Sequence, residues 1–292
     1  MCTSGANLAN CIKTLSTSST VTGIYHHDQS LTNGANDNSY RYAGASENVN
    51  NYVCFGSDAS TCPSENLYRI IGVFGSEVKL AKATYAKSDL LGTDGDWAES
   101  SSYHWNYKND TTINNGQGSN DWTTSLLNKV NLNTNFINNI GTTWANKITT
   151  HSWQIGGNTW NNIVRVSASQ VYQNEIVNPA KNETFNAKIG LAFVSDFGYS
   201  ASPMYWLYKL NYYNEKDYSE ASQKNWLKLD VLYLLLTKQY GTNNIVYQSL
   251  TNGRISSLSA SSAGLILPSF YLNSSITYVS GEGTETNPLR IA

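Results

Sequence analysis

Four histidines, four cysteines and 21 acidic residues are the reactive inventory of this 292-residue chain. A Ser-His-Asp hydrolase would draw on His26, His27, His104 or His151. None of these lies in a nucleophile context, and no Gly-x-Ser-x-Gly elbow occurs. Paired carboxylates for glycoside hydrolysis need no fixed spacing in sequence, so that chemistry stays open as the third functional reading. No phosphate-binding or dinucleotide fingerprint is present. His26-His27-Asp28 has the residue types of a metal site, but adjacent strand side chains point to opposite faces and no third ligand follows. Asp94-Gly95-Asp96 opens like a calcium loop yet lacks the later oxygen ligands and the closing Glu, so it reads as a turn. No catalytic residue, metal site or cofactor is assigned.

The cysteines all fall in the first quarter. Cys54 and Cys62 enclose a short loop rich in turn-formers, and Cys2 and Cys11 form the second pair. An even count in a polar, aromatic-rich chain points to two local disulfides and an oxidising compartment. A zinc site is the rival, but no second pair stands at ligand spacing and no His is near.

Charged residues make up only 14% of the chain, yet the mean hydropathy is −0.39, so uncharged polar side chains do the solvating. With 36 Asn, 20 Tyr and 8 Trp, this is the palette of secreted, loop-rich β proteins, not of disorder. A net charge of −2 without a basic run makes nucleic acid and anionic membrane poor partners. No run of about 18 apolar residues occurs, so no membrane span is expected. Met1-Cys2-Thr3-Ser4 lacks a charged n-region and an apolar h-region. An extracellular palette without an export signal reads as a fragment of an exported protein.

The elements that would position any site follow from periodicity. Residues 1–45 read as an N-terminal helix and loop segment, with Leu8, Ile12 and Leu15 on one helix face. Residues 46–292 read as a single α+β domain. Leu67 to Phe74 is a buried-type strand, followed by a Phe-Gly-Ser turn and a strand with Val78 and Leu80 on one face. Two short helices are expected after Asp121, separated by Asn131 to Asn133. Residues 147–160 read as strand–turn–strand about Gly156-Gly157, 161–186 as loop, and 187–194 as a strand. Ser195-Asp196 then reads as a helix cap. Short strands follow at 232–237, 245–249 and 254–258.

The runs Asn51-Tyr52-Val53-Cys54-Phe55-Gly56 and Asn66-Leu67-Tyr68-Arg69-Ile70-Ile71-Gly72-Val73-Phe74 closely resemble a family of surface-protein modules of gut Gram-positive bacteria. The likeness continues through Asn186-Ala187-Lys188-Ile189-Gly190-Leu191, Val194-Ser195-Asp196, Asn225-Trp226-Leu227 and Pro268-Ser269-Phe270-Tyr271-Leu272-Asn273. It covers most of residues 40–292. It implies a twisted antiparallel sheet with short helices, similar to the C-type-lectin-like and formylglycine-generating-enzyme-like folds, with paired chain ends. Relatives often stand behind a secretion or pilin-like leader, which implies an extracellular or cell-surface location. The formylglycine-generating enzymes use late cysteines, and this chain has none after Cys62. Tyr233, Leu234 and Leu267 stand where the family has Glu, Trp and Arg, which implies an ion pair exchanged for apolar packing. Residues 228–240 read either as such a functional variation or as decayed sequence.

Recognition residues are expected in the aromatic insert and the polar loops downstream. Tyr205, Trp206, Tyr208 and Tyr212 offer flat contact area, joined by Trp226, Tyr240, Asn243, Asn244 and Arg254. Their rings can equally close a loop-rich core. Lectin-like calcium dependence lacks a Glu-Pro-Asn or Gln-Pro-Asp triplet. The expected function is non-catalytic adhesion or recognition of a glycan or protein ligand. A pilin-like structural subunit is the alternative.

Overall fold

Strand β4, Leu67–Phe74, is apolar but for Arg69 and buried from Leu67 to Val73, because both of its faces are covered. A computed structural model describes residues 2–18, 23–211 and 216–292, the side chains of 216–219 excepted. The fold is mixed α+β, with several antiparallel sheets and short helices. In the seven-stranded sheet, β1 (Ile24–His26), β2 (Tyr40–Tyr42), β4 and β5 (Glu77–Lys82) lie side by side, followed by Pro268–Leu272 and Ile189–Leu191. Strand β3, Tyr52–Cys54, pairs with β4 off this path.

One face of the sheet is hydrocarbon. Ile70, Leu80 and Phe270 lie directly across from one another. Behind them the Phe55 ring meets Phe270 at 4.8 Å and Trp144 at 4.9 Å. Such ring pairs add to the burial that holds a sheet on its core. The cysteines pair as expected, Cys54 with Cys62 and Cys2 with Cys11, at Cα separations of 5.8 and 5.5 Å.

Residues 1–45 contribute to the same core. Helix α1, Leu8–Leu15, buries Leu8, Ala9 and Ile12 in it, and β1 and β2 extend the large sheet. The chain ends meet, since Gly5 and Leu8 donate to the carbonyls of Tyr278 and Ile276.

Downstream expectations need revision. Helix does not break at Asn131; it runs through Leu127–Phe136 in wide, π-type turns and on through Ile137–Asn139. Asn131 and Asn128 face inward, where their amides bond to Leu91, Asp94 and Trp122 carbonyls. This helix is capped from afar. The fully buried Asp96 carboxylate accepts from the N–H groups of Leu126 and Leu127, and also from those of Tyr107 and Lys108. Asp96 thus caps the helix and pins the 107–108 backbone to it. The expected hairpin about Gly156-Gly157 is absent: His151–Gln154 pairs with Thr184–Ala187 instead. Residues 161–186 are not all loop, for Ala168–Tyr172 is helical with a Ser167/Gln170 capping box. Tyr233–Lys238 is a buried strand in which Tyr233 bridges Leu265, two residues short of Leu267.

His27, expected in a loop, is fully buried. Its Nδ1 accepts from the Ala35 N–H at 3.0 Å, which places the proton of the neutral ring on Nε2. The ring stands edge-on to Tyr199 at 4.7 Å and tilts against Trp206 at 4.9 Å. Burial, with Arg41 adding to it, pushes its pKa down to about 3 from an ordinary 6.5. The unfolded chain therefore takes up a proton near 6.5 that the folded chain refuses. Stability from this site is full above that value and falls as the pH drops toward 3, by about 1.4 kcal/mol per unit. In urea unfolding between about pH 7 and pH 5, the slope of stability against pH should be smaller in His27→Gln than in the unmodified chain by up to this amount. Equal slopes in the two proteins would refute the assignment.

Candidate functional site

Strand register gathers charge on the other face of the large sheet. Arg41 on β2 lies opposite Gly72 on β4, Gly72 opposite Lys79 on β5, and Lys79 opposite Tyr271. Directly opposed residues share a face, so Arg41, Lys79 and Tyr271 project to the same side. Ile71 is an extra residue in β4: Ile70 pairs with Leu80 and Gly72 already with Lys79. This bulge brings Gly72 into the row. A Cβ on Gly72 would lie 2.5 Å from the Tyr40 carbonyl oxygen and 3.3 Å from Arg41 Cγ. The Arg41 side chain crosses β4 only because that position is glycine.

Lys79 is buried with Nζ 2.5 Å from Asp196 Oδ2. The rings of Phe193, Trp153, Tyr271 and Phe74 surround the ammonium at 4.5, 5.2, 5.3 and 5.9 Å. Burial lowers the Lys79 pKa and Asp196 offsets only part of that. Arg41 Nε donates to Ser39 Oγ at 2.8 Å and Nη2 to Asp37 Oδ2 at 2.6 Å, while Nη1 lies 3.8 Å from Asp196 Oδ1. Burial opposes the guanidinium charge, but Asp37 and Asp196 outweigh it and hold the pKa above its usual value.

Asp196 sits in the first turn of helix Val194–Tyr199, and its Oδ2 also accepts from the Phe193 N–H at 2.8 Å. Glu175 accepts from the N–H groups of Val194 and Ser195 at 3.2 and 2.9 Å and from the Thr237 hydroxyl. Burial raises the Glu175 pKa. The sheet, this helix and the strand Tyr233–Lys238 are thereby joined through ionisable groups.

A cavity of about 210 Å³ lies over this floor. Phe74, Tyr172, Ile176, Phe193 and Tyr271 wall it, and Ser152, which is exposed, stands at its mouth with His151 and Gln154. The His151 ring stacks on Tyr271 at 3.7 Å, and its Nδ1 is 3.2 Å from Glu77 Oε2. Burial, helped by Lys79, pushes the imidazole down to about 4, and burial raises Glu77. At neutral pH the pair is a hydrogen bond donated by a neutral ring to the Glu77 carboxylate. Among the described residues, no group of three or more His, Cys, Asp or Glu could hold a metal ion.

The residues expected from the sequence lie elsewhere. Trp206 is fully buried, with Nε1 donating to the Ala201 carbonyl and the ring edge-on to Tyr25 and Tyr199. Trp226 is also buried, with Nε1 on the Tyr42 carbonyl and the Arg69 guanidinium 4.8 Å over its ring. Tyr205 is buried and Tyr208 exposed; they line a depression with about 20 Å³ of room, enough for a water. Tyr212 lies outside the described residues. Tyr240 and Asn243 are exposed, but the Asn243 carbonyl is taken by Asn120 and Asn114, and that of Asn244 by Ala260. Arg254 is half-buried at the start of Ile255–Ser259. None of the eight described residues lines the cavity. In a chain with few charges, Trp206 and Trp226 serve as core volume, and the single N–H of each is satisfied by one backbone carbonyl.

The residues that do line it, Arg41, Lys79, Asp196 and Tyr271, left a faint trace in the sequence. Lys79 falls between Val78 and Leu80, on the opposite face of their strand, and Asp196 was legible only as a cap. No protein-family model, curated protein or solved structure matches the chain.

The Lys79–Asp196 pair can be tested by a double-mutant cycle. Lys79→Met or Asp196→Asn alone leaves a buried group without its partner and should cost about 3–5 kcal/mol. The double variant should cost clearly less than the sum of the singles in chemical unfolding. Additive losses would show that the two are not coupled.

Proposed function

We propose that the chain is an exported, non-catalytic recognition module, C-type-lectin-like in architecture, that binds a glycan or protein ligand in adhesion. The observation that carries this reading is the cavity over Arg41, Lys79 and Asp196, with apolar walls and a few convergent polar groups. That combination characterises ligand sites. Asp196 is the only carboxylate among the described residues lining it. A glycosidase needs two facing carboxyl groups, so the lining favours binding over hydrolysis. The two disulfides are compatible with export, and among the described residues no helix is long and apolar enough to cross a membrane.

One observation favours a second reading, a pilin-like subunit of a surface assembly. Met204 and Leu207 are 74% and 63% exposed, beside the exposed Tyr208. Neighbouring exposed apolar side chains suit a protein contact.

The purified chain, applied to glycan arrays and to surface-protein arrays, should bind members of at least one class. Ser152→Trp, which fills the mouth from an exposed position, should abolish that binding with the melting temperature unchanged. Failure to bind either class would overturn the recognition reading and leave the subunit reading standing.

A further inference from the structure

We infer that the cavity takes one neutral, hydroxylated ring, the terminal residue of a glycan or a free monosaccharide, with one hydroxyl bridging Arg41 Nη1 and Asp196 Oδ1. This deepens the recognition reading and rests on it.

Size sets the first limit. Ligand pockets for drug-sized molecules run to about 300–1,000 Å³, and this one holds about 210 Å³. It ends on the buried row Arg41, Lys79 and Tyr271, so a ligand enters end-on and one ring fills it. A stretch of chain lying across the mouth would leave the floor untouched.

Charge sets the second. Two cations, Arg41 and Lys79, stand against two carboxylates, Asp37 and Asp196. Glu175 does not line the cavity, and its oxygens are taken by the Val194 and Ser195 N–H groups and the Thr237 hydroxyl. At the rim, Glu77 is engaged with a neutral His151. The floor is therefore self-compensated. A carboxylated or sulfated ligand would bring a charge to be desolvated with no counter-charge left to meet it.

Donor and acceptor geometry sets the third. Asp196 Oδ2 is used by Lys79 and by the Phe193 N–H, and Arg41 Nε and Nη2 are used by Ser39 and Asp37. What remains facing is Nη1, a donor, and Oδ1, an acceptor, 3.8 Å apart. That is too long for a direct hydrogen bond. A hydroxyl can accept from the guanidinium and donate to the carboxylate at once, whereas an ammonium can only donate and a carboxylate can only accept. The hydrogen bonds it makes are charge-assisted, which lets it replace a bridging water. The apolar walls, Phe74, Ile176 and Phe193, meet the C–H groups of a sugar ring.

The test titrates the intact chain, followed by NMR, with glucose, galactose, mannose, fucose, N-acetylglucosamine and N-acetylgalactosamine. Glucuronic and galacturonic acid and oligosaccharides ending in each neutral sugar complete the set. At least one neutral sugar should shift signals of Ile176, His151 and Tyr271, with its uronic acid roughly tenfold weaker or more for want of a counter-charge. Free sugar and oligosaccharide binding alike identify the terminal ring; binding of the free sugar alone identifies a monosaccharide ligand. Ser152→Trp should remove the response, and the shift map of the unmodified chain serves as the independent readout if that variant does not fold. Sugar binding with shifts remote from the cavity overturns the inference and leaves the recognition reading intact, as does tighter binding of a uronic acid. No response to any sugar overturns it too, and the recognition reading then depends on the protein arrays.

Discussion

A single buried contact, Lys79 Nζ on Asp196 Oδ2, ties the middle of the large sheet to the start of helix Val194–Tyr199. Neither charge would survive alone in that place, because desolvating an unpaired ion outweighs what packing returns. Each neighbour follows from this requirement. Arg41 reaches across Gly72 toward the free side of Asp196, and Asp37 balances Arg41. Glu175 holds the helix N-terminus in place so that Asp196 faces the sheet. The cavity exists because these groups face one another with rings around them rather than a hydrocarbon layer.

Elsewhere the asparagines do the joining. Asn133 donates to the carbonyl of Ile189 and accepts from its N–H, completing for an edge strand what a neighbouring strand would supply. Asn120 bonds the carbonyls of Gln239, Thr242 and Ile245, and Asn51 joins Arg69 to Ile70. A side-chain amide carries one acceptor and two donors, so it can close loops that have no regular partner. A composition suited to recognition surfaces is here spent in large part on internal seams.

Local signals were legible and non-local ones were not. Strand Leu67–Phe74, helix Leu8–Leu15 and both cysteine pairs could be read because short-range patterning or spacing decides each of them. Asn131 looked like a helix breaker because its partners, Leu91 and Asp94, are far away in sequence. Trp206 and Trp226 looked like binding rings because composition cannot say which side of a loop faces in. The cavity was the least legible. Its floor is assembled by strand register across β2, β4, β5 and Pro268–Leu272, and Asp196 arrives from a distant helix.

The extra residue in β4 acts as a phase setter. Side chains alternate faces along a strand, so one inserted residue exchanges inside for outside from that point on. Before Ile71 the strand places Ile70 on the hydrocarbon face; after it, Gly72 arrives beneath Arg41. Strand spacing of about 4.8 Å then fixes how far Arg41 stands from Lys79, two strands away. Side-chain substitution can retune the chemistry at either end of that span. Its length and facing belong to the backbone, and only an insertion or deletion in β4 could redraw them.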